Sequence, residues 1–430
     1  MLFNHHRVSH DSMLSRYSWV DPNTCTYSKP SNPAVVYGSL TAIRAAIIMH
    51  ARLVLARAVT VAVRYTAIRH QFQDRDSMDK SAPEIPVLDY PTVQIRVLPL
   101  LATAFALHYT GEAMHSLYQN TRADIDKGDF SKLAALHAQS SGLKSLCTEL
   151  AANGIETCRR AMGGHGYGGG SGLIQLNADY LSKPTVEGDN WMITQQTASY
   201  LIKRMQGAVK AKPDLQDEVE RDYQTYLMER DKYVASDLDI LNDDAHVVEA
   251  FKRRSQDQTY RAYIERVHKK RSWNDLLIQL RKVSHAESQS IIVGNFHAAL
   301  SNHRLSPTLH EHLRRLFRLF AFYTLEAEGR DFVKAKAISD DALDELPERI
   351  QALMKEIRPH AVSLVDAWQI PDFLLDSALG RSDGKVYEDL FDRAHRLNPL
   401  NEVTFNPDYR SDEIEMGDEG RGLRDILAKL

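Results

Sequence analysis

Along most of this chain, apolar residues recur at three- and four-residue spacings. Ile43, Ile47, Ile48 and Ala51 set that rhythm, and Leu53, Ala56 and Val59 to Val63 continue it. The period is that of a helix and predicts one long element from about Tyr37. Pro83, Pro86 and Pro91 mark a loop, and Leu98 to Tyr118 reads as a second long helix. Gly128 and Asp129 interrupt the pattern. Lys132 to Met162 reads as a third helix, running into a glycine-rich stretch, and Thr194 to Met205 begins another. The small, proline-containing segment 207–214 reads as a linker. Beyond it the rhythm returns with more charge. Leu313, Leu316, Phe317 and Phe320 form one apolar stripe, interleaved with Arg314, Arg315 and Arg318. The first 30 residues, with Pro22 and Pro30, look extended, and strand-like alternation is nearly absent after residue 35. The expectation is an all-α chain of two helical bundles, 35–206 and 215–410, behind a short irregular or β piece at 1–34. A charged, Gly-containing tail at 411–430 follows them.

Composition narrows the function classes. The chain has 430 residues, 53 Lys plus Arg against 57 Asp plus Glu, and a net charge of −4. Apolar residues make up 43%, enough to bury a large core, so disorder is not the dominant state. Mild acidity argues against a general nucleic-acid binder; Lys252 to Arg254 and His268 to Arg271 read as solvated helix faces. Three scattered cysteines, Cys25, Cys147 and Cys158, make neither a disulfide framework nor a zinc site. His5, His6 and His10 lack a ligand geometry, so no metal is expected. No run approaches the roughly 18 consecutive apolar residues of a membrane span, and the N-terminus lacks a signal-peptide pattern. The chain ends Ala428-Lys429-Leu430, close to the peroxisomal Ser-Lys-Leu address.

Three places could carry chemistry. Gly163, Gly164, Gly166, Gly168, Gly169, Gly170 and Gly172 lie within ten residues, a density that means tight turns or close approach of a ligand. The match to G-x-G-x-x-G is formal, because that fingerprint follows a strand and here a helix precedes it. Glu187-Gly188-Asp189-Asn190 reads either as a helix start, with Asp189 or Asn190 as N-cap, or as a base on a loop that glycine opens to substrate. Arg69, with Gln71 and Phe72, either complements the end of a helix or holds a phosphate bidentately.

Taken in order, these segments resemble the acyl-CoA oxidases, peroxisomal flavoenzymes related to the acyl-CoA dehydrogenases. Tyr37-Gly38 with Arg44, Arg69-His70-Gln71, Leu88 to Gln94, Gly163-Gly164-His165-Gly166-Tyr167 and Glu187-Gly188-Asp189-Asn190 carry the resemblance. Arg358-Pro359-His360, Asp383-Gly384-Lys385 and Asn398-Pro399-Leu400-Asn401 extend it. Phe3 to Trp19 resembles only the last piece of the family's middle β domain, so the helical and β domains that open a full-length oxidase are largely not in this chain. The resemblance implies an FAD-dependent oxidase in peroxisomal fatty-acid β-oxidation, turning acyl-CoA and O2 into trans-2-enoyl-CoA and hydrogen peroxide. Glu187 would take the proton α to the thioester carbonyl, and its own backbone N–H would help to hold the enolate oxygen. Arg44 and Gly188 would face substrate. Arg69, Gln71, Phe72, Gln94, Arg160, Gly163, Gly164 and Asn190 would contact FAD, partly across a homodimer interface. Ala428, Lys429 and Leu430 would engage the import receptor. The alternative reading is a non-catalytic fragment or interaction subunit of such an oxidase.

Overall fold

A helix that is apolar on nearly every side must lie inside other helices, and α1 (Val35–Ile68) is such a helix. Ile48, Ala51, Leu55, Ala58, Val59 and Ala62 are fully buried around it. The computed structural model describes residues 1–30, 35–79, 81–210, 218–301 and 305–399. Helices α2 (Pro91–Asp126) and α3 (Leu133–Ala161) pack along α1. The stretch Leu40–Ile68 is long and apolar enough to cross a membrane, but 67% of its most apolar window is buried in the protein, as in a core helix. Arg44, Arg52, Arg57 and Arg64 break its run of apolar residues.

A short helix α4 (Gly164–Tyr167), α5 (Leu173–Tyr180) and α6 (Asn190–Lys210) complete the first half. The second holds α7 (Glu218–Glu229), α8 (Asp244–Tyr263), α9 (Leu277–Leu300), α10 (Pro307–Ala327), α11 (Gly329–Lys334) and α12 (Asp340–Ile357). The short helices α13 (Ala361–Asp366) and α14 (Asp372–Leu375) and then α15 (Val386–His395) end the described part. Near the N-terminus, β1 (Trp19–Val20) pairs antiparallel with β2 (Tyr27–Ser28), Trp19 opposite Ser28. The all-α class with a small β piece is as the sequence predicts.

Helices α2 and α6 extend beyond that prediction at both ends: α2 runs on past Tyr118 to Asp126, and α6 begins at Asn190, not Thr194. Helix α2 begins at Pro91, not Leu98, and runs through Pro99. Proline suits the first helical position, where its missing N–H costs nothing. At Pro99 the burial of Val97, Leu98, Leu101 and Ala102 outweighs the lost hydrogen bond, and Thr103 Oγ1 donates to the Pro99 carbonyl (2.8 Å). The expected linker 207–214 is helical over its first four residues, because α6 continues to Lys210. Gly207 is there for packing. A Cβ would sit 2.5 Å from Glu220 Oε1, the carboxylate that pairs with Arg204 (3.0 Å).

The two halves share one core. Phe105 of α2 packs on Trp368 (ring centroids 4.6 Å apart), and Tyr109 packs on Phe296 of α9 (5.2 Å). A smaller cluster joins Leu201, Ile202 and Met205 of α6 to Tyr223, Tyr226 and Leu280 from the far half. Arg64, near the end of α1, fastens the halves at another point. It donates to Asp366 Oδ1 through Nε (2.9 Å) and Nη2 (2.7 Å), and to the Gly380 carbonyl through Nη1 (2.7 Å).

The glycine cluster is an ordered turn. Gly163 and Gly172 sit at φ +64° and +69°. Ala378 N–H donates to the Gly170 carbonyl (2.8 Å), and a Cβ on Gly172 would lie 2.6 Å from the Asp376 carbonyl. Replacing Gly172 with Ala is therefore expected to cost about 2–4 kcal/mol, the left-handed backbone supplying about 1–2 of it and the overlap the rest. A denaturant midpoint equal to that of the parent would refute this.

Candidate functional site

The turn that leads into α6 is closed by Asn190 N–H donating to the Pro184 carbonyl (3.0 Å). At its apex Glu187 has φ +57° and Gly188 φ +106°. A glutamate in the left-handed region is uncommon and persists only where its surroundings hold it. Arg44 of α1 holds it from one side, donating to the Glu187 carbonyl through Nη2 (3.1 Å) and Nε (3.3 Å). Lys144 of α3 holds it from the other, donating to the Pro184 and Gly188 carbonyls (3.1 and 2.8 Å) and to Asn190 Oδ1 (2.9 Å). Asn190 is itself buried and donates to the Ser145 carbonyl and Thr148 Oγ1, each at 3.0 Å.

The helix-start reading of this segment holds on Asp189. Asp189 Oδ1 accepts from Trp191 N–H (2.9 Å) and caps α6. Glu187 is left free of that task. Among the described residues neither its carboxylate nor its N–H makes a hydrogen bond. Gly188 lines a cleft of about 640 Å³, with Leu40, Arg44, His137, Met192 and Ile193. Burial pushes the Arg44 and Lys144 pKa values down, Lys144 to about 8. His137 is pushed down by burial and by Arg44, so it stays neutral and its Nδ1 can accept from Arg44 Nη1 (3.3 Å). The arrangement is a partly exposed glutamate next to Gly188, which lines a largely apolar cleft, with two cations bound to the main chain of the turn.

The second group lies past the other end of α1. Arg69 Nη2 donates to Gln71 Oε1 (2.7 Å) and Nη1 to Tyr387 OH (3.1 Å). Neither partner is a carboxylate; Glu84 is near enough to favour the Arg69 charge, but among the described residues no carboxylate forms a salt bridge with Arg69. Phe72 is 70% exposed at φ +60°. Tyr90 OH donates to the Gln71 carbonyl (2.8 Å), one turn before the buried Gln94. Tyr65 OH and His165 Nδ1, 2.9 Å apart, tie this end of α1 to the glycine turn, where Gly163 and Gly164 are exposed. Arg160 differs from Arg69: it and Arg159 both pair with Glu156, whose carboxyl they hold down to about 2.

Residues 37–202 match the family model described as acyl-CoA oxidase, C-alpha1 domain, and residues 243–413 match that described as acyl-CoA oxidase. The chain belongs to the acyl-CoA oxidase family. The chain is 33% identical to peroxisomal acyl-coenzyme A oxidase 1 of Rattus norvegicus over 94% of its length. Its fold superposes on Arabidopsis thaliana acyl-CoA oxidase 1 with a TM-score of 0.86 at 32% identity, covering 96% of this chain. It superposes on Caenorhabditis elegans acyl-CoA oxidase-2, solved with FAD, ascaroside-CoA and ATP, with a TM-score of 0.83 at 30% identity and 96% coverage. In each case this chain spans 62% of the relative's length.

Within the chain the expected site residues fall into these two groups. Arg44, Glu187, Gly188 and Asn190 come together. Arg69, Gln71, Phe72, Gln94, Arg160, Gly163 and Gly164 gather at the opposite end of α1. From Arg44 to Ile68 the helix rises about 36 Å, so one copy does not bring both groups to one point. Sequence reasoning missed Lys144 and Tyr387. The sequence around Lys144 gave only a weak signal: its helix neighbours Ser140, Ser141, Cys147 and Thr148 offer no carboxylate, which fits a solvated lysine equally well. The tripeptide Ala428-Lys429-Leu430 lies outside the described residues.

Proposed function

We propose that this chain is the base-bearing helical part of an FAD-dependent acyl-CoA oxidase of peroxisomal fatty-acid β-oxidation. The substrates are acyl-CoA and O2, and the products are trans-2-enoyl-CoA and hydrogen peroxide. The observation that carries the reading is Glu187, unpartnered in its left-handed turn beside the apolar cleft. The cleft takes the acyl chain, and Gly188 lets the chain pass close to the turn. The Glu187 carboxylate accepts the α-proton, while its free N–H donates to the thioester oxygen as negative charge develops there.

The second group fits a dinucleotide. The Arg69 guanidinium makes its hydrogen bonds to Gln71 and Tyr387, with Glu84 acting on it only from a distance, and suits a diphosphate, and the exposed Phe72 ring suits stacking. Gln71, Gln94, Arg160, Gly163, Gly164 and Asn190 belong to the same proposal. When bound, the flavin supplies the acceptor for the β-hydrogen and two electrons, which O2 then takes up. The length of α1 between the groups supports a homodimer in which one copy lends its Arg69 group to the flavin beside its partner's Glu187. Peroxisomal placement rests on the names of the relatives and on Ala428-Lys429-Leu430, read by the import receptor. The segments 1–34, 35–206, 215–410 and 411–430 are proposed as remnant, first helical domain, second helical domain and tail.

The test is the visible spectrum of the purified chain before and after acyl-CoA is added without air. Bound flavin that bleaches is expected; a protein that stays colourless with added FAD overturns the reading for this chain. That outcome would favour a non-catalytic helical part, a reading supported by the 62% share of its relatives' length. Arg69→Met is expected to weaken FAD binding about tenfold or more, the worth of a charge-assisted hydrogen bond. An unchanged affinity in a fluorescence titration would remove Arg69 from the site.

A further inference from the structure

A lysine side chain with no exposed surface needs three acceptors for its three N–H groups, and Lys144 finds all three in one turn. The Pro184 carbonyl precedes Glu187, and the Gly188 carbonyl and Asn190 side chain follow it. All three acceptors are neutral, and among the described residues Lys144 forms no ion pair. A buried ammonium without a counter-ion is expensive, yet here it spans both flanks of the residue with the least ordinary backbone in the turn. Ser145 and Thr148, on the same face of α3, complete the grip through Asn190.

We propose that Lys144 is the positioning residue of the Glu187 turn: its ammonium holds the backbone on both sides of the base, so proton abstraction depends on a side chain that touches no substrate. As far as the base is concerned, this rests on the function proposed above. Other charges face the same spot. Asp189 and Glu187 on the turn favour the ammonium, while burial and Arg44 of α1 oppose it, and the net effect is a pKa of about 8. His137, two turns earlier on the same face of α3 and beside Arg44, is pushed toward its neutral form and adds no charge. Above that pH the amine keeps two N–H groups and must release one acceptor. The sign for the whole fold is opposite. Because the folded chain binds this proton less tightly than the unfolded one, Lys144 contributes more stability as pH rises from about 8 toward the ordinary lysine value of roughly 10.4. Alkali thus loosens the turn without loosening the protein on this residue's account.

The experiment is hydrogen exchange on the full chain, read on peptides covering 184–190, for the parent, K144M and K144R at about pH 7 and about pH 9.5 after correction for intrinsic rates. K144M is expected to exchange about tenfold faster in this turn at pH 7, with α1 and α2 unchanged. The parent is expected to loosen there on going to pH 9.5, and K144R, which keeps its charge, is not. Unchanged exchange in K144M, or a parent turn indifferent to pH, overturns the proposal. Should K144M fail to fold, the pH response of the parent decides. Exchange needs no flavin, so a colourless parent would overturn the proposed function and leave this result standing. In flavin-loaded protein K144M is expected to lower kcat about 100-fold with little change in KM, the signature of a misplaced group rather than a lost contact.

Discussion

Glu187→Gln is expected to slow anaerobic flavin reduction by acyl-CoA about 10²- to 10⁴-fold, the usual worth of a positioned base. The turn should survive the change. Arg44 and Lys144 grip main-chain carbonyls and the Asn190 side chain, not the glutamate side chain, so the amide inherits the same backbone. Glutamine also keeps the length and shape of glutamate while losing the capacity to accept the α-proton at neutral pH. The cleft and the N–H of residue 187 remain, so binding of acyl-CoA should be nearly unaltered. The loss should thus fall on the chemical step. Stopped-flow bleaching of the flavin separates the two, and a variant that bleaches at the parent rate would sink the assignment of Glu187 as base.

The second large effect is on stability. Arg64→Met is expected to cost about 2–3 kcal/mol, seen as a shift in the denaturant midpoint. Breaking a buried ion pair costs about 3–5 kcal/mol when the remaining charge stays dry. Here the side chains of Asp366 and Asp372 are 48% and 34% exposed, so water recovers part of that cost. The Gly380 carbonyl loses a donor as well. Because this clamp ties α1 to the segment leading toward Tyr387, the variant should also disturb the setting of Arg69. An unshifted midpoint would mean that the shared core alone fastens the two halves.

Helical spacing alone predicted the start of α1 and both ends of α3 to within a few residues, because no proline interrupts either helix. It lost the first turns of α2 because Pro99 reads as a stop, while the burial that overrides it comes from distant neighbours. It ended α6 early because Gly207 reads as a breaker, while its missing side chain makes room for Glu220. The common core was not legible at all: Phe105 meets Trp368 across most of the chain, and no local pattern encodes that contact. At the site, Glu187 next to Gly188 stood out by residue type and order. Lys144 did not, since a single lysine in a helix looks like a surface residue until its surroundings are known. Tyr387, which bonds Arg69 from the far half, carries no local sign of that partnership.

Helix α1 carries Arg44 near its start and leads into Arg69 past its end, so it acts as a measuring rod between two half-sites. Side chains along such a rod can be exchanged without changing what it measures. Its length cannot. One inserted residue adds about 1.5 Å and turns one end against the other by about 100°, so the grip on the Glu187 turn and the reach of Arg69 could not both keep their directions. Under the function proposed above, the number of residues between these two arginines thus matters as much as their identity.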